Sequence, residues 1–241
     1  MIKKSLSLIT ALLLFALVFT ACGGQSAGSG EEAVEEQSSI DYLVLVNKEN
    51  KLPDTWEEEL TLSTTTNSVG DEVQTEAAAY EAYLKLKEDV EKELADRKVV
   101  LELDSAYRSV AAQQQIWDDF TEKYGEDYVK KYVAVPGFSE HHTGLALDLY
   151  FVIDGKEVYE NEDLVQYPEI WDAIHAKLAE HGFILRFLEG KEEITGYSYE
   201  PWHIRYVGSP EVAQEITEKG IVLEEYLDKL PENDVFDEND Q

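Results

Sequence analysis

The residues best suited to chemistry lie in two short stretches. Ser139-Glu140-His141-His142-Thr143-Gly144-Leu145-Ala146-Leu147-Asp148 packs histidine, glycine and carboxylate into ten residues. Glu200-Pro201-Trp202-His203 adds a further histidine with a carboxylate three positions earlier. Two imidazoles and a carboxylate make a catalytic zinc set that leaves one coordination position open for water. A further glutamate nearby is what zinc hydrolases use as a general base. Spacing offers His203, Asp148 and one of the adjacent pair His141 and His142, and does not choose between the neighbours. The first stretch begins at a Pro136-Gly137 turn and ends in an alternating run, where Ala146 and Asp148 share a strand face. Asp148 can therefore point back at whatever the preceding loop presents. His175 and His181 fall in or at the end of a helical pattern, where a partly buried or helix-terminal histidine is the ordinary role.

Positioning these groups falls to a mixture of helices and strands. Ala79, Tyr80, Tyr83, Leu84, Leu86, Val90 and Leu94 follow a helical period over Glu76–Lys98, with Thr75 as N-cap. Val99–Leu103 is β-branched and then alternating, hence a strand, and Val110–Lys123 and Asp127–Val133 read as helices. Leu145–Ile153 alternates into Asp154-Gly155, a hairpin turn signal, with Lys156–Tyr159 returning. Pro168–His181 is a helix with proline near its start and Gly182 at its C′ position. Tyr42–Val46, Phe183–Phe187 and His203–Val207 complete the strands. Together they predict an α+β fold, a small and mainly antiparallel sheet flanked by helices, without internal repeats.

Of 241 residues 44% are hydrophobic, enough for a full-sized buried core. Twenty Lys and Arg against 51 Asp and Glu give a net charge of −31, which argues against nucleic acid and against an electrostatic grip on anionic lipid. The single cysteine excludes a disulfide framework or a cysteine-rich zinc cluster. Lys3 and Lys4 precede an uncharged apolar run from Ser5 to Ala21, the layout of an export signal. Phe19-Thr20-Ala21-Cys22 resembles the lipobox of bacterial lipoproteins, which implies acylation of Cys22 and an extracytoplasmic protein anchored to the cell membrane by lipid. The expected organisation is a signal over 1–21, a Gly-, Ser- and Glu-rich tether over 22–39, a folded domain over 40–230 and an acidic tail over 231–241.

Ser139–Asp148 resembles the S-x-H-x-x-G-x-A-x-D signature of zinc D,D-carboxypeptidases of the VanY type, a family that includes related L,D-carboxypeptidases. Ser105-Ala106-Tyr107-Arg108-Ser109 with Gln113, Gly182-Phe183-Ile184, and Glu193-Ile194-Thr195-Gly196-Tyr197 leading into Glu200-Pro201-Trp202-His203 agree in order and spacing. Leu43-Val44-Leu45-Val46-Asn47-Lys48 resembles the family's N-terminal strand, so the match covers roughly Tyr42 to Gly208. Two departures stand out: Arg186-Phe187-Leu188 where many members have Arg-Tyr-Pro, and His142 where Gln is commoner. The resemblance implies a hedgehog/D,D-peptidase-like fold with His141, Asp148 and His203 as Zn2+ ligands. It implies Glu200 as the base that takes a proton from the attacking water and passes it to the leaving amine. Arg108 would clamp the substrate's terminal carboxylate, with Ser139 and Gln113 as hydrogen-bonding partners. His142 is expected as a pocket-wall or surface residue, Tyr107 as core, and Glu140 and Trp202 as shaping the site without reacting. The implied substrate is a peptidoglycan stem peptide ending in D-Ala, cut by a monomer. An L,D-carboxypeptidase on tetrapeptide stems is the alternative; a non-catalytic peptidoglycan-binding lipoprotein is disfavoured because the base and every ligand are present.

Overall fold

Leu147, Leu149, Tyr150 and Phe151 are fully buried in one strand, so that strand must be covered on both faces. In the computed structural model, which describes residues 40–230, it is the centre of the fold. The elements run in the order α1 (Trp56–Glu59), β1 (Leu62–Thr66), β2 (Glu72–Glu76), α2 (Ala77–Glu93), β3 (Val99–Ser105), α3 (Val110–Tyr124) and α4 (Glu126–Tyr132). They continue with β4 (Ala146–Ile153), β5 (Lys156–Val158), α5 (Asn161–Leu164), α6 (Pro168–Leu178), β6 (Phe183–Leu185), α7 (Glu192–Thr195), β7 (His203–Tyr206), α8 (Pro210–Lys219) and α9 (Leu223–Leu227).

β1 and β2 form a separate hairpin, and the other five strands make one sheet in the order β3-β4-β7-β6, with β5 also paired to β4. Every pairing is antiparallel. β3 accompanies nearly the whole of β4, while β7 and then β5 share its other edge. The α+β expectation is therefore borne out. Phe151 packs against Trp171 of α6 with ring centroids 5.3 Å apart, and Trp171 Nε1 donates to Leu164 O at 2.9 Å, so the indole is buried without an orphaned donor. A second cluster, including Ile184, Val207, Ile216 and Leu223, closes the side of the sheet next to α8 and α9.

Several local expectations change. Tyr42–Val46 is no strand: its carbonyls at Tyr42 and Val44 accept from Arg205 Nη2 at 3.0 and 2.8 Å, so a buried guanidinium takes the place of a neighbouring strand. The N-cap of α2 is Glu76, whose Oε2 accepts from Ala79 N at 2.9 Å, not Thr75, which lies in β2. The helix expected to Lys98 ends at Glu93, and a 3-10 turn covers Ala95–Arg97. α6 likewise gives way to a 3-10 turn over Ala179–His181 before Gly182. The β1–β2 hairpin and α8 and α9 are elements the apolar periodicity did not single out. The signal, the tether with Cys22 and the acidic tail lie outside the described residues. Among the described residues no helix is long and apolar enough to cross a membrane.

The loop carrying His141 is a 3-10 turn, Glu140–Thr143, ended by Gly144 at φ 70°. A Cβ at Gly144 would lie 3.2 Å from Glu76 N, whose N–H donates to Gly144 O. Gly144→Ala is expected to cost about 1–3 kcal/mol from left-handed strain alone, with the Glu76 contact added. Gly155→Ala shares the positive φ but meets nothing within 4 Å, so it should lose less. Urea unfolding of both variants checks this; equal losses would leave the Glu76 contact without weight.

Candidate active site

Three elements bring the candidate ligands His141, Asp148 and His203 together. Asp148 of β4 and His203 of β7 are cross-strand partners, and residues opposite one another in an antiparallel pair share a face. His141 comes from the 3-10 turn, whose backbone is tied to the segment after β3 by Arg108 N donating to His141 O at 3.1 Å. The His141 ring is oriented by Nδ1 donating to Ala106 O at 2.8 Å, which leaves Nε2 toward Asp148 Oδ2 at 3.1 Å. His203 Nδ1 lies 2.9 Å from Asp148 Oδ1, while its Nε2 meets Glu140 Oε2 at 3.0 Å. One nitrogen of each ring and one carboxylate oxygen thus lie within 4.8 Å of one another.

This donor set fits a zinc ion. Asp148 Oδ1 is buried and accepts no hydrogen bond, although His203 Nδ1 is 2.9 Å away. A buried carboxylate oxygen without a partner is costly, and a cation between it and Nδ1 removes the cost. Without metal a proton must serve there instead: burial opposes charge on His203, but the negative charges of Asp148 and Glu140 push its pKa up to about 10. Burial would raise the Asp148 carboxyl, yet His141 and His203 hold it far below the usual carboxylate range.

These groups open into a cavity of about 410 Å³ that is also lined by Arg108, Gln113, Ser139, Glu200 and Trp202. Arg108 Nη1 donates to Gln113 Oε1 at 3.0 Å and Nη2 to Ser105 Oγ at 3.1 Å. Gln113, buried, in turn donates to Ala134 O at 2.8 Å. Further N–H groups of the guanidinium remain for a ligand. Glu200 Oε2 lies 3.9 Å from His203 Nδ1. Burial, opposed by His203 and reinforced by Asp148 and Glu140, pushes its carboxyl up to about 7. His175 Nε2 donates to Pro201 O at 2.9 Å and steadies the turn that carries Glu200.

Two expectations need correction. His142 neither lines the cavity nor reaches the surface: it is fully buried, its Nδ1 donating to Arg108 O at 2.6 Å and its Nε2 accepting from Gly137 N at 3.0 Å. A ring there ties the turn at Pro136-Gly137 to the backbone of Arg108. Tyr107 is half-buried, and its hydroxyl donates to Glu57 at 2.9 Å. Sequence reasoning passed over Arg205 and Glu224 as site-supporting residues and met Arg186 only as part of a departure. An arginine between Ile204 and Tyr206 in a short strand was the available signal.

Fold and site together define a zinc-peptidase-like cleft, and comparison with known proteins agrees. The model of the VanY family, D-alanyl-D-alanine carboxypeptidase, matches residues 57–209. The chain belongs to this family. It is 43% identical over 135 residues to the bifunctional D-Ala-D-Ala dipeptidase and D-Ala-D-Ala carboxypeptidase VanXYC of Enterococcus gallinarum, covering 54% of this chain and 67% of that one. Among solved structures, the LdcB LD-carboxypeptidase aligns with a TM-score of 0.65 at 31% identity, covering 79% of this chain and 87% of that one. A mutant of the vancomycin-resistance D,D-pentapeptidase VanY from the VanB-type cassette, in complex with Zn(II), aligns with a TM-score of 0.60 at 32% identity over 78% of this chain and 99% of that one.

With its pKa near 10, His203 is protonated at neutral pH in the metal-free protein and must lose that proton before Nδ1 can ligate. Zinc added at pH 7 should therefore displace at least one proton per ion bound. Titration calorimetry in buffers of different ionisation enthalpy measures this, and release of none would show that His203 is already neutral in the metal-free protein.

Proposed function

We propose that this chain is a zinc-dependent carboxypeptidase that removes the C-terminal D-alanine from peptidoglycan stem peptides. The observation that carries the reading is the placement of Arg108 and Glu200 around one cavity with the His141–Asp148–His203 group. His141 Nε2, an Asp148 carboxylate oxygen and His203 Nδ1 would hold the ion. Bound zinc supplies Lewis acidity, which polarises a carbonyl and acidifies water. Arg108 binds the terminal carboxylate of the peptide; Gln113 and Ser105 aim its guanidinium, and Ser139 offers a hydroxyl on the cavity wall. Glu200 takes the proton of the attacking water on its carboxylate and delivers it to the nitrogen of the departing D-alanine. A carboxyl pushed up to about 7 is suited to both halves of that transfer. A cation clamp in the cleft explains action at chain ends, because an internal peptide bond presents no carboxylate to Arg108.

The likeness to an LD-carboxypeptidase supports a second reading, in which the residue before the terminal D-alanine is an L-centre of a tetrapeptide stem. Incubation with synthetic penta- and tetrapeptide stems, followed by mass spectrometry, separates the two. Loss of a single D-alanine from the pentapeptide supports the first, loss from the tetrapeptide alone supports the second, and inertness toward both removes the carboxypeptidase proposal.

Glu200 and Arg108 should fail differently. Glu200→Gln keeps the size and hydrogen bonding of the side chain but accepts no proton, so zinc should still bind while kcat falls by about 100- to 10,000-fold. Arg108→Ala removes an interaction made in ground and transition states alike, so KM should rise most, with some loss of kcat from poorer alignment. The Arg108 variant should also lose the preference for free-acid over C-terminally amidated stems. Steady-state kinetics on both substrates checks the pair; retained preference in Arg108→Ala would assign the clamp elsewhere, and full activity in Glu200→Gln would remove the base.

Cys22 is the proposed lipid attachment point, on the support of the preceding apolar run and the small residues Thr20 and Ala21. Cys22→Ser should move the protein from the detergent-extracted membrane fraction to the soluble fraction without loss of activity. Retention of the variant on membranes would refute the anchor.

A further inference from the structure

We infer that Glu140 is a positioning residue, which locks His203 in the tautomer and orientation that present Nδ1 to the metal; the inference rests on the zinc reading above. Glu140 is buried beside His203, with Oε2 3.0 Å from Nε2. An ionised carboxylate can only accept, so Nε2 must carry the hydrogen and the lone pair of the neutral ring is left on Nδ1. Nδ1 is the nitrogen that faces Asp148 Oδ1 at 2.9 Å. Glu140 and Asp148 therefore act on opposite edges of one imidazole, one orienting it and the other sharing its proposed ligand position. These contacts also exclude Glu140 as a second base or a fourth ligand, because both of its oxygens are already engaged.

Its other oxygen explains the two fully buried arginines. Oε1 accepts from Arg186 Nε and from Arg205 Nη1, each at 2.7 Å. With one oxygen clamped from two directions the carboxylate cannot turn away from His203. The clamps are themselves anchored. Arg186 makes a bidentate pair with Glu224 of α9, at 2.9 and 2.7 Å, and Glu224 accepts from Asn47 Nδ2 at 3.1 Å. Arg205 Nη2 donates to the carbonyls of Tyr42 and Val44. Elements from both ends of the described domain thus converge on the carboxylate behind a proposed ligand. Partners of this kind fix ring orientation and raise ligand basicity, and their loss typically weakens metal binding about 10- to 100-fold. Here the negative charge has a second task, since it neutralises guanidinium charge that would otherwise repel a dication.

The test compares zinc affinity, by competition with a chromophoric chelator, in the full-length protein and three variants. Glu140→Asp keeps the charge for the arginines but is too short to hold both them and His203; Glu140→Gln keeps the length and loses the charge. Each should weaken zinc about 10- to 100-fold and shift the visible d–d bands of the cobalt(II)-substituted protein. Glu224→Gln disturbs the same network one residue further out, and should lower Tm with little change in zinc affinity or in the cobalt spectrum. Unchanged zinc affinity in both Glu140 variants would overturn the inference, as would losses that track Tm across all three. Nitrogen-15 NMR of the zinc-loaded wild type gives an answer that needs no variant: His203 should carry its proton on Nε2, and a proton on Nδ1 would overturn the proposal. A wild type that binds no zinc at all would overturn the underlying reading and this one with it.

Discussion

The register between β4 and β7 is the constraint from which the site follows. With Asp148 opposite His203, and Ala146 opposite Arg205, alternate residues of two short strands bring a carboxylate, an imidazole and a guanidinium to one face. A slip of β7 by one residue would send His203 and Arg205 to the other face, away from Asp148. The register is held because Leu147 opposite Ile204 on the reverse face, and Leu149 beyond it, are fully buried and have nowhere else to go. Apolar packing on one side of the ladder thus fixes polar geometry on the other.

Polar groups this deep need compensation. Arg186 and Arg205 are completely buried, and removing such a pair's partner leaves an uncompensated charge worth about 3–5 kcal/mol. Glu140 and Glu224 balance them, with backbone carbonyls of the 42–44 segment taking remaining donors. A packed apolar cluster could have held the same volume with less desolvation. What it could not supply is direction: carboxylate oxygens and planar guanidiniums fix one another's orientation to within a hydrogen-bond angle, and the end of that chain is the edge of an imidazole.

Much of this was legible in the sequence, and the exceptions have physical reasons. β4 was visible because alternation and the Asp154-Gly155 turn both mark it; α6 was visible from its proline and from Gly182. The Tyr42–Val46 segment has strand composition, but its carbonyls are satisfied by Arg205, a partner more than 150 positions away that no local pattern encodes. The threonine-rich β1 and the polar β2 lack an apolar face, so periodicity had little to register. Among the site residues, His141 and His142 were separated by the family signature and not by spacing. The structure gives the reason for their different fates: successive side chains in the 3-10 turn diverge, one ring meeting Ala106 O and Asp148, the other Arg108 O and Gly137 N. The buried network was not legible, since in a chain with 51 acids no single Glu announces a buried partner.

That acidity sharpens the question of how the cleft would receive an anionic peptide end. At physiological ionic strength charges beyond about 8 Å are largely screened, so the distant acids matter less than the groups inside the cavity. In and behind the cavity wall, three arginines are used in two ways. Arg186 and Arg205 are neutralised by carboxylates, as buried structural cations must be. Arg108 is oriented by an amide oxygen and a hydroxyl, neutral acceptors that fix its direction and leave its charge in place. A carboxylate in the position of Gln113 would orient it equally well and would also neutralise its charge. Holding one arginine with neutral groups while pairing the other two with acids is what allows so negative a protein to keep a cation available at the cavity wall.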